Sequence, residues 1–439
     1  MTLCIDFHSD ADHLRYQIGL AVSLNSIMNT PSVMLKFDRR TFLRSLLCLG
    51  ASGRAAPTLT HSSPPGLPRK TETPAACGAD TWKKHGIILE PSETWEGNGI
   101  QNFTTRAEPL KNDRWRIWYS VSDSTRDYSI AFAEGVPGDN MTRIRAVCSP
   151  GDPTDVPLSI GHLPDNWKPV QPVHLQLSNG RHRLYFWAHG PQVCRYLAAE
   201  SDDGCRYRVL NPLKPILYHP NDRAAFGVRS PDGIMSRRET SLDRQADEPL
   251  AVSQLISNDA TNVYLMPDGT FELYTVALIE VPKSDPAYIA EDNAPGRLRV
   301  IDRLTSGDGL HFKDRRRIIQ RDGGDFVDQQ FYYLSMTPTT KGRVGMLGHY
   351  RCAAQTMDLE WCFSLDGLQW HRPQRRGWIP RGAPPAPDCY GIYAGSQLVN
   401  HRGRWHLFYT GVNSSHNGKH AHGKPRQVIM HATTDDLWA

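Results

Sequence analysis

Carboxylates, carboxamides and aromatic rings recur together in five short segments. The first holds Trp95, Glu96, Asn98, Gln101 and Asn102, and the second Gln171 and His174. The third holds Asn258, Asp259 and Asn262, the fourth Asp325, Asp328, Gln329 and Gln330, and the fifth Asp388 and Tyr390. Carboxyls in different surroundings titrate at different pH. One held protonated can give a proton while an ionised one supplies charge or activates water. Carboxamides hydrogen-bond hydroxyls, and a Trp or Tyr ring offers a flat apolar face. Asp325 follows Gly323 and Gly324 and reads as a turn residue.

Other chemistries find no support. There is no Gly-x-Ser-x-Gly elbow, no P-loop and no His-Glu-x-x-His. No two of the nine cysteines form a Cys-x-x-Cys pair, so no zinc site is expected. Cys352 and Cys362 flank a predicted turn and either pair or stay as buried thiols. His416, His420 and His422 share a glycine-containing stretch that reads as a solvated loop rather than a metal site.

The elements that position the five segments come from an internal repeat. A segment of alternating polar and apolar residues appears as Arg-Trp-Arg-Ile-Trp-Tyr-Ser at 114–120 and Arg-His-Arg-Leu-Tyr-Phe-Trp at 181–187. It returns at 270–275, 342–350 and 403–411. Period two with aromatic enrichment predicts strands. A second element is Ser-Asp-Asp-Gly at 201–204, Ser-Gly-Asp-Gly at 306–309 and Ser-Leu-Asp-Gly at 364–367. Tyr207, Phe312 and Trp370 lie three residues after these glycines. Asp-Gly predicts a tight turn, because glycine tolerates positive φ.

Each repeat reads as four antiparallel strands, and five copies predict a five-bladed β-propeller. A β-sandwich is the weaker alternative. The chain ends where the outer strand of the fifth blade should begin. The segment 80–91 resembles the missing strand and is expected to close the ring from the N-terminal side, protecting strand edges. Two insertions, 223–256 and 280–296, are long enough to wall a site on one face.

On these features, residues 80–439 resemble the five-bladed propeller glycoside hydrolases of families 43, 32 and 130 and their uncharacterised bacterial relatives. The phrases Trp-His-Leu-Phe-Tyr-Thr-Gly at 405–411 and Asn-Asp-Ala-Thr-Asn-Val at 258–263 add to the resemblance. It implies a central funnel with carboxylates from different blades, cleaving the glycosidic bonds of a poly- or oligosaccharide. By position it assigns Glu96, Asp259 and Asp328 as the catalytic carboxylates. Trp95 and Tyr390 would stack on a sugar ring. Gln101, Asn102, His174, Asn262 and Gln329 would complete the substrate contacts. An axial calcium ion is the one cofactor it allows. The family 32 phrase Trp-Met-Asn-Asp-Pro-Asn-Gly is absent, with Trp-Glu-Gly-Asn-Gly-Ile-Gln at 95–101 in its place. A non-catalytic carbohydrate-binding propeller is therefore the alternative. The turns are one residue shorter than the Asp-box of sialidases, and five blades argue against that class.

Composition agrees with a soluble β-rich chain. The 439 residues include 35 glycines, 32 prolines and 22% charged residues. The net charge of +4 is too small to predict a nucleic-acid partner. No run of about 18 apolar residues predicts a membrane span. Phe-Asp-Arg-Arg-Thr-Phe-Leu-Arg at 37–44 resembles a twin-arginine export signal, with Met34 as an alternative start. Residues 1–56 then form a leader, 57–79 a linker and 80–439 the propeller. The expected protein is a monomer, periplasmic or secreted, with a carbohydrate as its partner.

Overall fold

The computed structural model describes residues 2–10, 13–21, 75–97, 99–101, 103, 105–122, 127–225 and 255–438. The chain divides into two units, Met1–Thr71 and Glu72–Ala439. In the first, Thr2–Asp10 pairs antiparallel with His13–Ala21. The twin-arginine segment lies outside the described residues.

The second unit is all-β, with short 3-10 turns such as Ala79–Thr81 and Thr94–Glu96. Every predicted aromatic segment is a strand: Trp115–Ser122, His182–Gly190, Phe271–Glu280, Gly342–Arg351 and Arg404–Val412. Each pairs antiparallel with an earlier strand, such as Lys168–Gln176, Asn262–Leu265 or Gln329–Thr339. On its other side lies a later one: Tyr128–Gly135, Val193–Ser201, Arg297–Ser306, Thr356–Ser364 or Gln427–Thr434. Short strands such as Thr142–Arg145 and Lys313–Ile319 add a fourth position. Beside Gln427–Thr434 that position is taken by Lys83–Leu89, from the other end of the unit. A single parallel pairing, Met357 with Gly391, joins the last two repeats, so the second unit forms four sheets among the described residues.

Packing before residue 80 extends the unit into the expected linker. Ala76 and Cys77 are buried, and the Cys77 amide donates to the Leu437 carbonyl. Trp378 donates Nε1–H to the Cys77 carbonyl and meets Trp82 edge-on at 5.0 Å. These contacts anchor the chain just before Lys83–Leu89. Cys352 and Cys362 are separate buried thiols.

The three Ser-x-Asp-Gly turns share one hydrogen-bond pattern. In the second, Ser306 Oγ accepts from the Gly309 amide, and Asp308 Oδ1 accepts from the amides of Leu310 and His311. Gly309 sits at φ +73°, and a Cβ there would meet Arg183 Nη1 at 2.5 Å. The turn is seated on the preceding repeat: Arg183 donates to the Asp308 carbonyl and Tyr185 to the Gly309 carbonyl. The aspartate and serine thus shape the turn, and the glycine lets it approach its neighbour.

Glu272 fastens the third repeat to the fourth. Its side chain, 2% exposed, accepts from Tyr274 Oη, from Arg303 Nη2 and from Arg343 Nε and Nη2. Burial pushes its carboxyl pKa up. The hydrogen bonds from Arg343, Arg303 and Tyr274 more than offset this and hold it below the ordinary value. The Glu272→Gln variant leaves two guanidinium groups without their charge partner. It should lose about 3 kcal/mol at neutral pH, read from the urea midpoint at unchanged m. A depressed carboxyl contributes stability above its unfolded pKa and loses it as pH falls through the folded value. The gap between variant and wild type should therefore close on acidification.

Candidate active site

Backbone irregularities build the site. The strand Lys168–Gln176 bulges between Val170 and Val173, and Gln171 there has φ +58°. The strand Gln329–Thr339 bulges between Phe331 and Leu334, around Tyr332. Ala260, just before Asn262–Leu265, has φ +54°. Bulges and positive φ re-aim side chains and cost energy unless neighbours hold them. Here Gln171 Oε1 accepts from the Ala260 amide at 2.9 Å, and the Gln171 amide donates to Ser120 Oγ at 3.1 Å. The first of these contacts holds the chain at the residue that follows Asp259.

Asp259 lines a cleft of about 250 Å³ with Asn258, His219, Asn293, Arg299 and Tyr332. A hydrogen-bond chain reaches it from one side. The Asn221 amide donates to His219 Nδ1, His219 Nε2 meets Asn258 Oδ1 at 2.8 Å, and Asn258 Nδ2 donates to Asp259 Oδ1 at 2.7 Å. That order makes Nε2 the protonated nitrogen of a neutral imidazole. Burial, aided by His189, lowers the His219 pKa to about 3, which keeps it neutral. Burial also raises the Asp259 carboxyl to about 6, against the opposing pull of Arg299 and of a hydrogen bond from Gln171. Asp259 forms no ion pair among the described residues.

Arg299, on Arg297–Ser306, is 1% exposed. Its Nη1 donates to Asp292 Oδ2 at 2.8 Å and to Gln330 Oε1 at 2.6 Å, and Nη2 donates to Asn293 Oδ1 at 2.5 Å. Its plane lies over Tyr332 at 4.7 Å and Tyr350 at 5.3 Å. Tyr350 Oη donates to Asp292 Oδ1 at 2.9 Å. His416 packs against Tyr332 and Tyr350 and hydrogen-bonds Tyr393 Oη at 2.6 Å. Burial, then Arg299, lowers its pKa to about 3. His416 is thus a partly buried neutral ring packed on tyrosines, whereas His420 and His422 are exposed, as a solvated loop would leave them. Phe103 stacks on Tyr332 from a different repeat, centroids 5.3 Å apart.

The residues named from sequence are scattered. Glu96 is fully buried. Its Oε2 accepts from the amides of Ser92 and Glu93 in a capping box, and its Oε1 takes Tyr119 Oη and faces Arg143 Nε at 3.3 Å. Asp328 is held by Arg351 at 2.7 Å and by the Ala353 amide. Asp325 is held by Arg372 and Arg375. Trp95 packs near Arg145, and Gln101 donates to Ser122 Oγ. His174 is buried between Trp118 and His182 and pairs with Glu108. Asn262 donates to the Leu334 carbonyl, and Gln329 meets His349 at 3.2 Å. Tyr390 lines a different cavity. Asn98 and Asn102 lie outside the described residues. Of the assigned residues that are described, only Asp259 lines this cleft.

Arg299, Asp292 and Tyr332 were not named from sequence. One signal did point toward them. The 280–296 insertion supplies Asp292 and the cleft-lining Asn293. Among the described residues, no group of three or more His, Cys, Asp or Glu side chains is arranged to hold a metal ion.

No protein-family model matches the chain, and no curated protein matches it. Solved structures do. A glycoside hydrolase superposes with a TM-score of 0.51 at 14% identity, over 81% of this chain and 92% of that one. A protein from Parabacteroides distasonis, put forward as a glycoside hydrolase, superposes at 0.50 and 12% identity, over 82% and 97%. At such identities the likeness is one of fold. The chain shares the fold of propeller glycoside hydrolases.

The raised Asp259 carboxyl has a measurable consequence. Such a group stabilises the fold fully below its unfolded pKa, and that contribution is lost as pH climbs through the folded value. The folded value here is about 6, against an ordinary 3.8. Asp259→Asn should therefore be more stable than wild type at pH 8, by about 3 kcal/mol. The gap should close toward pH 4. Thermal melts of both proteins at the two pH values check this, and equal gaps would contradict it.

Proposed function

We propose that residues 80–439 form a five-bladed β-propeller, closed by Lys83–Leu89, that cleaves glycosidic bonds of a poly- or oligosaccharide in the Asp259 cleft. The observation that carries this reading is a carboxyl with a pKa of about 6, inside a polar cleft and without an ion-pair partner among the described residues. Near neutral pH a useful fraction is protonated and ready to donate. Asn258, oriented by His219, fixes the direction of the carboxyl. The protonated Asp259 gives its proton to the leaving glycosidic oxygen. Ionised by that transfer, it faces the charge of Arg299 while a solvent water adds to the anomeric carbon, and the proton that water loses returns to the carboxyl. The edges of Asn258 and Asn293 offer hydrogen bonds to sugar hydroxyls, and the ring of Tyr332 offers an apolar face.

Glu96 and Asp328 take no part in this proposal. Both have their oxygens committed to backbone amides and to arginine. The same observation favours a second reading. Glycosidases commonly set two free carboxylates across the bond, and among the described residues this cleft is lined by one. A carbohydrate-binding propeller without turnover would need no second carboxylate. On either reading the chain is a monomer, exported to the periplasm or beyond through its twin-arginine segment, with a carbohydrate as its partner.

The test is incubation of the full chain with a broad glycan panel, read for new reducing ends. Wild type should release them, and Asp259→Asn should be slower by at least about 100-fold. The rate should fall above about pH 6, as the acid loses its proton. Equal release by wild type and Asp259→Asn would remove Asp259 from the mechanism. Saturable glycan binding without release by either protein would establish the binding reading instead.

A further inference from the structure

A second cavity, of about 530 Å³, shares no lining residue with the Asp259 cleft. Asp358 on Thr356–Ser364, Arg381, Tyr390 and His422 line it. Its volume falls in the range of roughly 300–1,000 Å³ usual for small-ligand sites. Tyr390 and His422 stack with centroids 5.5 Å apart at 29°, making a broad flat wall. The Tyr390 hydroxyl has no hydrogen-bond partner among the described residues. Arg381 Nε donates to Asp358 Oδ1 at 2.7 Å.

The loop beside this wall is held in place by its own contacts. Asp388 is buried under the loop that carries Arg381. It accepts from the Gly382 amide and Tyr409 Oη and pairs with Lys84 at 2.5 Å. Lys84 also donates to the Pro380 carbonyl, and Arg381 Nη1 donates to the Cys389 carbonyl. Preorganised walls bind with less loss of conformational freedom.

The lining also selects the kind of ligand. Arg381 and Asp358 cancel in charge, so the cavity attracts neither an anion nor a cation. The pair presents donors and acceptors side by side, which suits vicinal hydroxyls. The aromatic wall suits a face of C–H groups. We propose that this cavity is a second binding site for a neutral sugar unit, seated on Tyr390 with its hydroxyls on Arg381 and Asp358. The choice of a sugar rests on the carbohydrate reading above. The 413–426 loop links the two places. Its His416 packs on Tyr332 of the cleft, and its His422 forms part of this wall. A glycan chain engaged at both would bind more tightly than a single unit.

The experiment uses the full chain with ring-labelled histidine and follows the His422 resonance by NMR. The resonance is assigned by its absence in His422→Gln. The probes are the methyl glycosides of glucose, galactose, mannose, xylose and arabinose, up to roughly 100 mM, enough to detect millimolar binding. At least one should move His422 saturably in wild type and equally in Asp259→Asn. Tyr390→Ala should abolish the movement. Tyr390→Phe, which keeps the ring and the fold, should retain it within about threefold in affinity. Asp358→Asn should weaken binding at least about threefold. No saturable movement with any probe overturns the proposal, as does movement that survives in a folded Tyr390→Ala. Because Asp259→Asn is silent here, failure of the cleft as a catalytic site and failure of this cavity give different results.

Discussion

Arg299 is a permanent charge with almost no contact with water, and the candidate site is arranged around satisfying it. An unpaired guanidinium would not stay buried. Asp292 supplies the countercharge, Gln330 and Asn293 accept from Nη1 and Nη2, and Tyr332 and Tyr350 cover its faces, while Nε has no hydrogen-bond partner among the described residues. That requirement pins the 280–296 segment against the next repeat. It also fixes Tyr332 in the wall of the cleft. The charge then acts outward. It restrains the upward push of burial on Asp259 and adds to the forces that keep His416 neutral.

The same pairing recurs elsewhere. Glu272 joins Arg303 of its own repeat to Arg343 of the next, while Glu200 with Arg183, and Asp302 with Arg315 and Arg317, tie adjacent strands of one repeat. Asp325, Asp328 and Glu96 are bound to arginines in the same manner. Removing one partner of such a pair strands the other, so each is a fixed structural joint. Most acidic side chains near the centre of this fold are therefore committed to stability. Asp259 stands apart. It has a carboxamide beside it where the others have an arginine.

Local rules explain what was legible in the sequence. The alternation in Trp115–Ser122 or Arg404–Val412 depends on neighbours two residues apart, so the strands could be read directly. The Ser-x-Asp-Gly turns are closed by their own side chains and were equally readable. Asp259 could be named because it sits beside Asn258 in a short polar segment before a strand. Glu96 shows the limit. The spacing of Glu93 and Glu96 fits a capping box, but its burial against Tyr119 and Arg143 depends on residues far along the chain. Asp328 is separated from Arg351 by a whole hairpin, and Asp292 meets Tyr350 only once two repeats have packed. Tyr390 was readable as an aromatic platform, but its separation from the Asp259 cleft is a property of the assembled repeats. Which carboxylates are free is decided by arginines from other strands, and no spacing in the sequence encodes that.

The central claim is that the fold holds Asp259 as a carboxyl poised between its two protonation states. Its most direct test is the titration of the Asp259 carboxyl carbon by NMR, identified as the signal missing in Asp259→Asn. The account predicts a midpoint of about 6. A midpoint near 3.8, the ordinary aspartate value, would contradict it. It would mean that Asp259 is a solvated anion like any other.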